Sequence, residues 1–120
     1  MNEETLDEIL NGLVRVFQKK RGYRFSIDAL LLSHFVSLPA KSKVMDLGTG
    51  SGIVPLILAQ RFPHTSWTGL EIQGKMAALA DKNVELNGLQ ERVSIVHGDA
   101  RKARSIFPAH SFDVVTCNPP

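Results

Sequence analysis

The chain has 120 residues, which is enough for one domain around one hydrophobic core. Its hydrophobic fraction of 43% and charged fraction of 22% are ordinary for a soluble globular protein, and its net charge of +2 is compatible with a nucleic-acid partner without requiring one. One cysteine excludes an internal disulfide framework, and the four histidines are scattered, so we expect no metal site. The N-terminus is acidic, with no apolar signal segment, and no apolar run is long enough to span a membrane. We therefore expect a cytoplasmic protein that has no contact with a membrane.

Residues 1–42 are expected to form an N-terminal extension built of helices or a hairpin. Leu6, Ile9, Leu10 and Leu13 lie at helical spacing, so the pattern predicts a short amphipathic helix over residues 5–13. Residues 13–17 are compatible with a short strand, and residues 18–25 with a basic turn. Ser26 is a good N-cap for a largely apolar helix over residues 27–38, which ends before Pro39.

The basic turn combines cations with aromatic rings, and it has two interpretations. A charge run is usually a solvated loop. The alternative is an RNA-facing patch, in which cations meet phosphates and a ring stacks on a base. The candidate substrate-binding residues of this patch are Lys19, Lys20, Arg21, Tyr23, Arg24 and Phe25.

Residues 43–120 alternate between strand-like and helix-like segments. We predict strands over 43–47, 66–72, 92–97 and 112–117, and helices over 53–61 and 75–86, with a short basic helical segment ending near Phe107. Strands that alternate with helices indicate an α/β fold with a doubly wound parallel sheet.

A glycine-rich loop, DLGTGSG at 46–52, follows the first predicted strand. Glycine is required where a ligand lies against bare backbone. The dinucleotide fingerprint is G-x-G-x-x-G, whereas this loop reads G-x-G-x-G and is preceded by Asp46. A carboxylate at that position suits a positively charged ligand, such as an amino acid or a sulfonium, better than it suits a pyrophosphate.

Four polar residues end the four predicted strands, namely Asp46, Glu71, Asp99 and Asn118. Ligands of open α/β sheets bind outside the carboxyl ends of the strands. Glu71 is placed to accept hydrogen bonds from ribose hydroxyls, and Asp99 to accept one from the exocyclic amine of a purine. The pattern therefore predicts a shared nucleoside site.

These motifs are similar to a known family. DLGTGSG, Glu71, GDA at 98–100 and NPP at 118–120 resemble the class I S-adenosylmethionine methyltransferases of the N6-adenine type, which have a Rossmann-like fold. The resemblance covers residues 43–120. The stretch QKKRGYRFSIDALLLSHF at 18–35 resembles the N-terminal signature of the bacterial enzymes that methylate N6 of the adenine beside the anticodon of a valine tRNA.

The resemblance implies a role for each motif residue. Gly48, Thr49, Gly50 and Gly52 would hold the methionine part of S-adenosylmethionine, with Asp46 near its amino group. Glu71 would bind the ribose, Ile72 would pack on the adenine, and Asp99 with the Ala100 backbone would read the adenine edge. Asn118, Pro119 and Pro120 would be catalytic, because carbonyl acceptors on the target amine favour its tetrahedral, localised form in the transition state.

The sequence departs from the family at its end. The family motif continues with an aromatic residue that stacks on the target base, and the family's sheet continues through further strands. We therefore expect a fragment that corresponds to the N-terminal half, in which residues 43–120 form an incomplete cofactor domain of uncertain independent activity. The fourth strand would be an exposed apolar edge able to pair with a second copy.

Three alternatives to a tRNA adenine methyltransferase remain open. The same chemistry would serve methylation of another planar nitrogen, in rRNA, DNA or a protein glutamine amide. A nucleotide-dependent oxidoreductase is disfavoured by the loop spacing and by NPP. The third alternative is a non-catalytic nucleotide-binding module.

Overall fold

The computed structural model describes residues 4–9, 14–19 and 36–117. Its strands are β1 (Glu4–Ile9), β2 (Val14–Lys19), β3 (Lys43–Leu47), β4 (Ser66–Glu71), β5 (Val93–His97) and β6 (Val114–Cys117). Its helices are α1 (Ile53–Arg61), α2 (Gly74–Leu86) and α3 (Ala103–Ile106), the last preceded by a 3₁₀ turn at Ala100–Lys102. No helix in these ranges is long and apolar enough to cross a membrane.

Strands β3 to β6 form one parallel sheet in the order β5-β4-β3-β6. After β3, strands β4 and β5 are added in turn on one side of it, and β6 is then added on the other side. This reversal makes the gap between β3 and β6 the topological switch point, where ligands of open α/β sheets bind. The predicted α/β fold with a parallel sheet is confirmed.

Helix α1 packs against one face of this sheet and excludes water from it. All seven residues from Ile53 to Ala59 are buried, and Pro55 lies in the first turn, where its missing N–H breaks no helical hydrogen bond. Leu56 and Leu58 pack in one hydrophobic cluster with Trp67 of β4 and Val84 of α2. Fully burying a side chain of this size contributes about 1.5–3 kcal/mol of transfer free energy.

The predicted helix over residues 5–13 is wrong where the structure describes it. Residues 4–9 form strand β1, which pairs antiparallel with β2 from Glu4 opposite Lys19 to Ile9 opposite Val14. Leu6, expected on the buried face of that helix, is 49% exposed. A segment this short has little helical stability of its own, whereas β2 is anchored by the fully buried Val14 and Val16 and offers β1 a partner edge.

The predicted strand over residues 13–17 is present as β2, but it continues to Lys19. Gln18 and Lys19 therefore belong to a strand rather than to the basic turn. Residues 36–38 are not helical, so the helix predicted over 27–38 does not reach Leu38. The remainder of that helix lies outside the described residues.

One arginine ties the end of α1 to the start of β5. The Arg92 guanidinium donates to the Ala59 carbonyl at 2.7 Å, to the Phe62 carbonyl at 2.9 Å and to the Thr65 carbonyl at 3.1 Å. These carbonyls belong to the last turn of α1 and to the loop that follows it, where acceptors lack partners within the helix. Arg92 thus supplies hydrogen-bond donors to carbonyls at and just after the C-terminal end of α1.

We expect Arg92→Met to lower the free energy of unfolding by about 2–3 kcal/mol, because the variant keeps the aliphatic stem but leaves three carbonyls without their charged donor. Arg104→Met, at an exposed position of α3, is the matched control and should change it by less than about 0.5 kcal/mol. Urea denaturation measures both values. Equal losses in the two variants would contradict this role of Arg92.

Candidate functional site

Three loops meet at the carboxyl edge of the sheet, after β3, β4 and β5. The Gly48 and Thr49 amides donate to the Leu70 carbonyl at 2.8 and 3.2 Å, and the Gly98 amide donates to the Glu71 carbonyl at 2.9 Å. These backbone hydrogen bonds hold the loops side by side. Asp46, Glu71 and Asp99 are therefore brought to one edge, as their positions at strand ends predicted.

The loop after β3 is shaped by its glycines. Gly48, Gly50 and Gly52 have φ angles of +66°, +58° and +86°, in the left-handed region that other residues rarely adopt. A Cβ added to Gly48 would meet no atom within 4 Å, so the space on that side of the loop is open. Gly52 begins α1, and its carbonyl accepts from the Leu56 amide at 3.0 Å. Gly48 is exposed and offers bare backbone to a ligand, whereas Gly50 and Gly52 are buried.

Glu71 fastens two of these loops together. One carboxylate oxygen accepts from the Gly50 amide at 2.8 Å and the other accepts from the Gln73 amide at 2.9 Å. The residue is only 7% exposed. Because each carboxylate oxygen has two lone pairs, both oxygens can accept a further hydrogen bond from a ligand hydroxyl.

An apolar side chain follows this carboxylate. Ile72 is 56% exposed, which is unusual for a large aliphatic residue beside a buried charge. Its carbonyl lies 2.9 Å from His97 Nε2, at the end of β5. Sequence reasoning missed His97 and Gln73, since a single histidine or glutamine beside a loop carries no recognisable pattern.

Asp99 is held by a neighbour in sequence. Arg101 Nη2 lies 2.7 Å from one carboxylate oxygen of Asp99, and Arg101 Nε donates to the other at 3.1 Å. These side-chain hydrogen bonds, helped by the Arg101 backbone amide, lower the Asp99 pKa to about 2. The carboxylate is therefore charged at any physiological pH and is available as an acceptor. Ala100, next to it, begins the 3₁₀ turn and is exposed.

Asp46 lies beneath the glycine loop rather than on its surface. It is 2% exposed, and its Oδ1 accepts from the Thr116 hydroxyl of β6 at 2.6 Å. Burial raises its pKa to about 6, an effect that the Thr116 hydrogen bond opposes and the nearby Glu71 charge reinforces. Thr116 was missed by sequence reasoning, although it is a polar residue in an otherwise apolar strand that pairs with Asp46 in the sheet register.

Thr49 faces the sheet and not the open side of the loop. A Cβ placed on Gly69 of β4 would fall 2.8 Å from Thr49 Cγ2, so the glycine makes room for this side chain. The Thr49 hydroxyl is close enough to Asp46 to lower its pKa, but it is buried and makes no hydrogen bond of normal geometry. Any contact of Thr49 with a ligand would therefore be through its backbone.

Several candidate residues lie beyond the described structure. They are the three residues of the NPP motif, Asn118, Pro119 and Pro120, and the basic residues Lys20, Arg21, Tyr23, Arg24 and Phe25. Lys19 is described only through its backbone, as the last residue of β2. The structure brings the cofactor candidates together and leaves the catalytic and substrate candidates as predictions.

The Asp46–Thr116 contact predicts a pH-dependent stability. A pKa raised by folding means that this group's contribution is fully present below about pH 4 and is lost as the pH rises through about 6. Thr116→Val removes the donor that holds the pKa down, so we expect a loss in unfolding free energy of about 1 kcal/mol at pH 4 and about 2–3 kcal/mol at pH 8. Thr116→Ser keeps the hydroxyl, so the difference between its unfolding free energy and that of the wild type should be the same at pH 4 and pH 8. Urea denaturation measures these differences. A Thr116→Val deficit independent of pH would contradict the assignment.

Comparison with known proteins identifies the family of this site. The methyltransferase small domain model matches residues 11–120. Relatives named tRNA1(Val) (adenine(37)-N6)-methyltransferase include one from Vibrio campbellii, 33% identical over 82% of this chain and 40% of its own length, and one from Shewanella frigidimarina, 35% identical over 82% and 41%. A SAM-dependent methyltransferase from Thiobacillus denitrificans, solved with S-adenosyl-L-homocysteine, superimposes with a TM-score of 0.64 at 25% identity, over 80% of this chain and 37% of that one. The chain thus spans about 40% of the length of the relatives it matches, and it belongs to the methyltransferase small domain family.

Proposed function

We propose that this chain is the cofactor-binding part of an S-adenosylmethionine-dependent methyltransferase that acts on N6 of an adenine in tRNA. The observation that supports it best is the Glu71 carboxylate, which lies at the end of β4 and is hydrogen-bonded to the Gly50 amide. This carboxylate can accept hydrogen bonds from a diol, and it lies beside a glycine loop that has open space next to Gly48. That combination suits a nucleoside joined to an amino-acid chain.

The residues present fit this cofactor. Glu71 has lone pairs left for the two ribose hydroxyls. Ile72 offers an exposed apolar surface for a flat base, and Asp99 remains an acceptor for the base's exocyclic amine. The exposed Gly48 would provide bare backbone for the methionine part, and the buried Gly50 would hold the loop in place through its hydrogen bond to Glu71. Asp46 would act through its charge from beneath the loop, because the side chain itself is buried.

The chemistry would be completed by the NPP motif. The cofactor supplies an activated methyl group, and the protein has to make a delocalised adenine amine nucleophilic. The Asn118 side-chain carbonyl and the Pro119 backbone carbonyl would accept from the amine's two N–H bonds and favour its tetrahedral form. No strong general base is required before methyl transfer, and Asn118 is two residues beyond Thr116, which contacts Asp46 at the switch point.

The choice of tRNA as substrate is supported by the names of the relatives and by the basic stretch at 18–25. We further propose a cytoplasmic location, where tRNA is the available partner, to be tested by cell fractionation.

The domain organisation belongs to the same proposal. Residues 43–120 would carry the cofactor site, and residues 1–42 would be an extension that meets RNA. Strand β6, which is the outer strand on its side of the described sheet and has Val115 56% exposed, would pair with a second copy of this chain. Sedimentation over a range of concentrations tests this pairing, and a monomer at every concentration would contradict it.

Thermal unfolding with S-adenosylhomocysteine tests the cofactor assignment. A ligand that binds only the folded state raises the melting temperature, so we expect a clear rise with S-adenosylhomocysteine and none with NAD. Glu71→Gln keeps the shape of the side chain but removes its charge, and it should weaken the affinity at least about tenfold, or about 1.4 kcal/mol. A rise with NAD alone would support an oxidoreductase and overturn the proposal.

The matched control is Glu85→Gln, on the exposed side of α2 away from the loops. It removes the same charge and should leave the affinity for S-adenosylhomocysteine unchanged. The substrate is tested with full-length protein that carries this sequence, by mass spectrometry of nucleosides from treated tRNA. N6-methyladenosine that forms with wild type and is lost in Asn118→Ala is expected, whereas methylation of rRNA or DNA instead would exclude tRNA as the substrate.

A further inference from the structure

Asn83 of α2 and Asn87, the residue that caps the C-terminus of α2, bind the edge of β2 that faces away from β1. Asn83 Oδ1 accepts from the Phe17 amide at 2.6 Å, and Asn83 Nδ2 donates to the Phe17 carbonyl at 2.9 Å. Asn87 Oδ1 accepts from the Arg15 amide at 2.9 Å, and Asn87 Nδ2 donates to the Arg15 carbonyl at 2.6 Å. Each side-chain amide therefore pairs with one residue of β2 as a neighbouring strand would.

The spacing of the two contacts explains why they coexist. Residues four apart on a helix are separated by about 6 Å along its axis, and residues two apart on a strand by about 6.7 Å. Arg15 and Phe17 direct their amides to the same edge, because alternate residues of a strand do so. That edge is opposite β1, which pairs with the other side of β2. Within the described ranges no strand pairs with this edge of β2, and the two asparagines fasten the hairpin to α2 there.

Asn83 makes one contact that Asn87 does not. Its Nδ2 also donates to the Ser51 carbonyl of the glycine loop at 2.9 Å. Asn83 is fully buried, with both amide hydrogens and the amide oxygen in use. A buried amide that lost one of these partners would leave a polar group unpaired, at a cost of about 1–3 kcal/mol. The loop and the hairpin are therefore held by the same side chain.

We infer that Asn83 is a positioning residue that couples the glycine loop to the N-terminal hairpin, so that a ligand on the loop stabilises the hairpin and the hairpin in turn strengthens ligand binding. The reciprocity is required by thermodynamic linkage. The ligand part of this inference rests on the proposed function, whereas the link between loop and hairpin rests on the hydrogen bonds alone.

A consequence concerns the proposed substrate. Strand β2 runs into the basic stretch, since Lys19 is its last residue. An RNA bound to this stretch would stabilise β2, and through Asn83 it would favour the bound form of the loop. Cofactor and RNA would then bind with positive cooperativity.

Amide hydrogen exchange measured by NMR tests the coupling in the wild-type chain. The Phe17 amide reports on Asn83, and the Arg15 amide of the same strand reports on Asn87. Saturating S-adenosylhomocysteine should slow exchange at Phe17 at least about fivefold more than at Arg15, because the side chain that holds Phe17 contacts the loop directly, whereas Asn87 reaches only the Asn83 carbonyl. Equal slowing at both amides, with the ligand bound, would overturn the inference.

Two variants separate this inference from the proposed function without any ligand. Asn83→Ala should increase exchange of the loop amides of Gly50 and Gly52 about tenfold, whereas Asn87→Ala should increase exchange in β2 alone. Loop exchange that is unchanged in Asn83→Ala, or equally raised in both variants, would overturn the coupling. A wild-type chain whose melting temperature does not rise with S-adenosylhomocysteine would overturn the proposed function. The comparison of amide exchange in the two unliganded variants would still decide the role of Asn83. If Asn83→Ala does not fold, Asn83→Ser, which keeps one donor, replaces it in the same comparison.

Discussion

The hydrogen bond from the Gly50 amide to the Glu71 carboxylate is the contact on which the rest of the site depends. It joins the loop after β3 to the loop after β4, while the other carboxylate oxygen accepts from Gln73. A parallel sheet brings these two loops to one edge, but it does not fix their distance. Backbone hydrogen bonds from Gly48 and Thr49 hold the start of the glycine loop against β4, and the Glu71 carboxylate holds the middle of the loop at Gly50. Each carboxylate oxygen still has a lone pair with which it could accept a further hydrogen bond. In the proposed site, the same carboxylate would both support the loops and recognise the ligand.

A second buried carboxylate makes the site electrostatically costly. Asp46 and Glu71 lie close enough for the Glu71 charge to raise the Asp46 pKa, and burial raises it further. The Thr116 hydroxyl offsets part of this cost from the neighbouring strand. Two negative groups that repel each other in the free protein would be stabilised by a cationic ligand. This explains in physical terms why the loop suits a sulfonium or an amino group better than it suits a phosphate.

The parallel sheet could be predicted from the sequence because its signals are local. Helix α1 was predicted with its observed ends, and Glu71 and Asp99 were placed by their positions after apolar runs. Strand β1 could not be predicted, because Leu6 and Ile9 satisfy helical spacing and only pairing with β2 makes this segment a strand. Thr116, Asn83 and His97 were missed for a related reason. Their partners lie 70, 32 and 25 residues away in the chain, so no local pattern reveals these contacts.

The central claim is that a nucleoside-bearing cofactor lies across the carboxyl edge of β3, β4 and β5. The most direct test is an NMR titration of the labelled chain with S-adenosylhomocysteine, followed through the backbone amide shifts. The account predicts that the largest changes occur at Gly48, Gly50, Ile72 and Ala100. Changes confined to the groove of about 550 Å³ lined by Phe107, Phe112 and Val115, on another part of the surface, would contradict it.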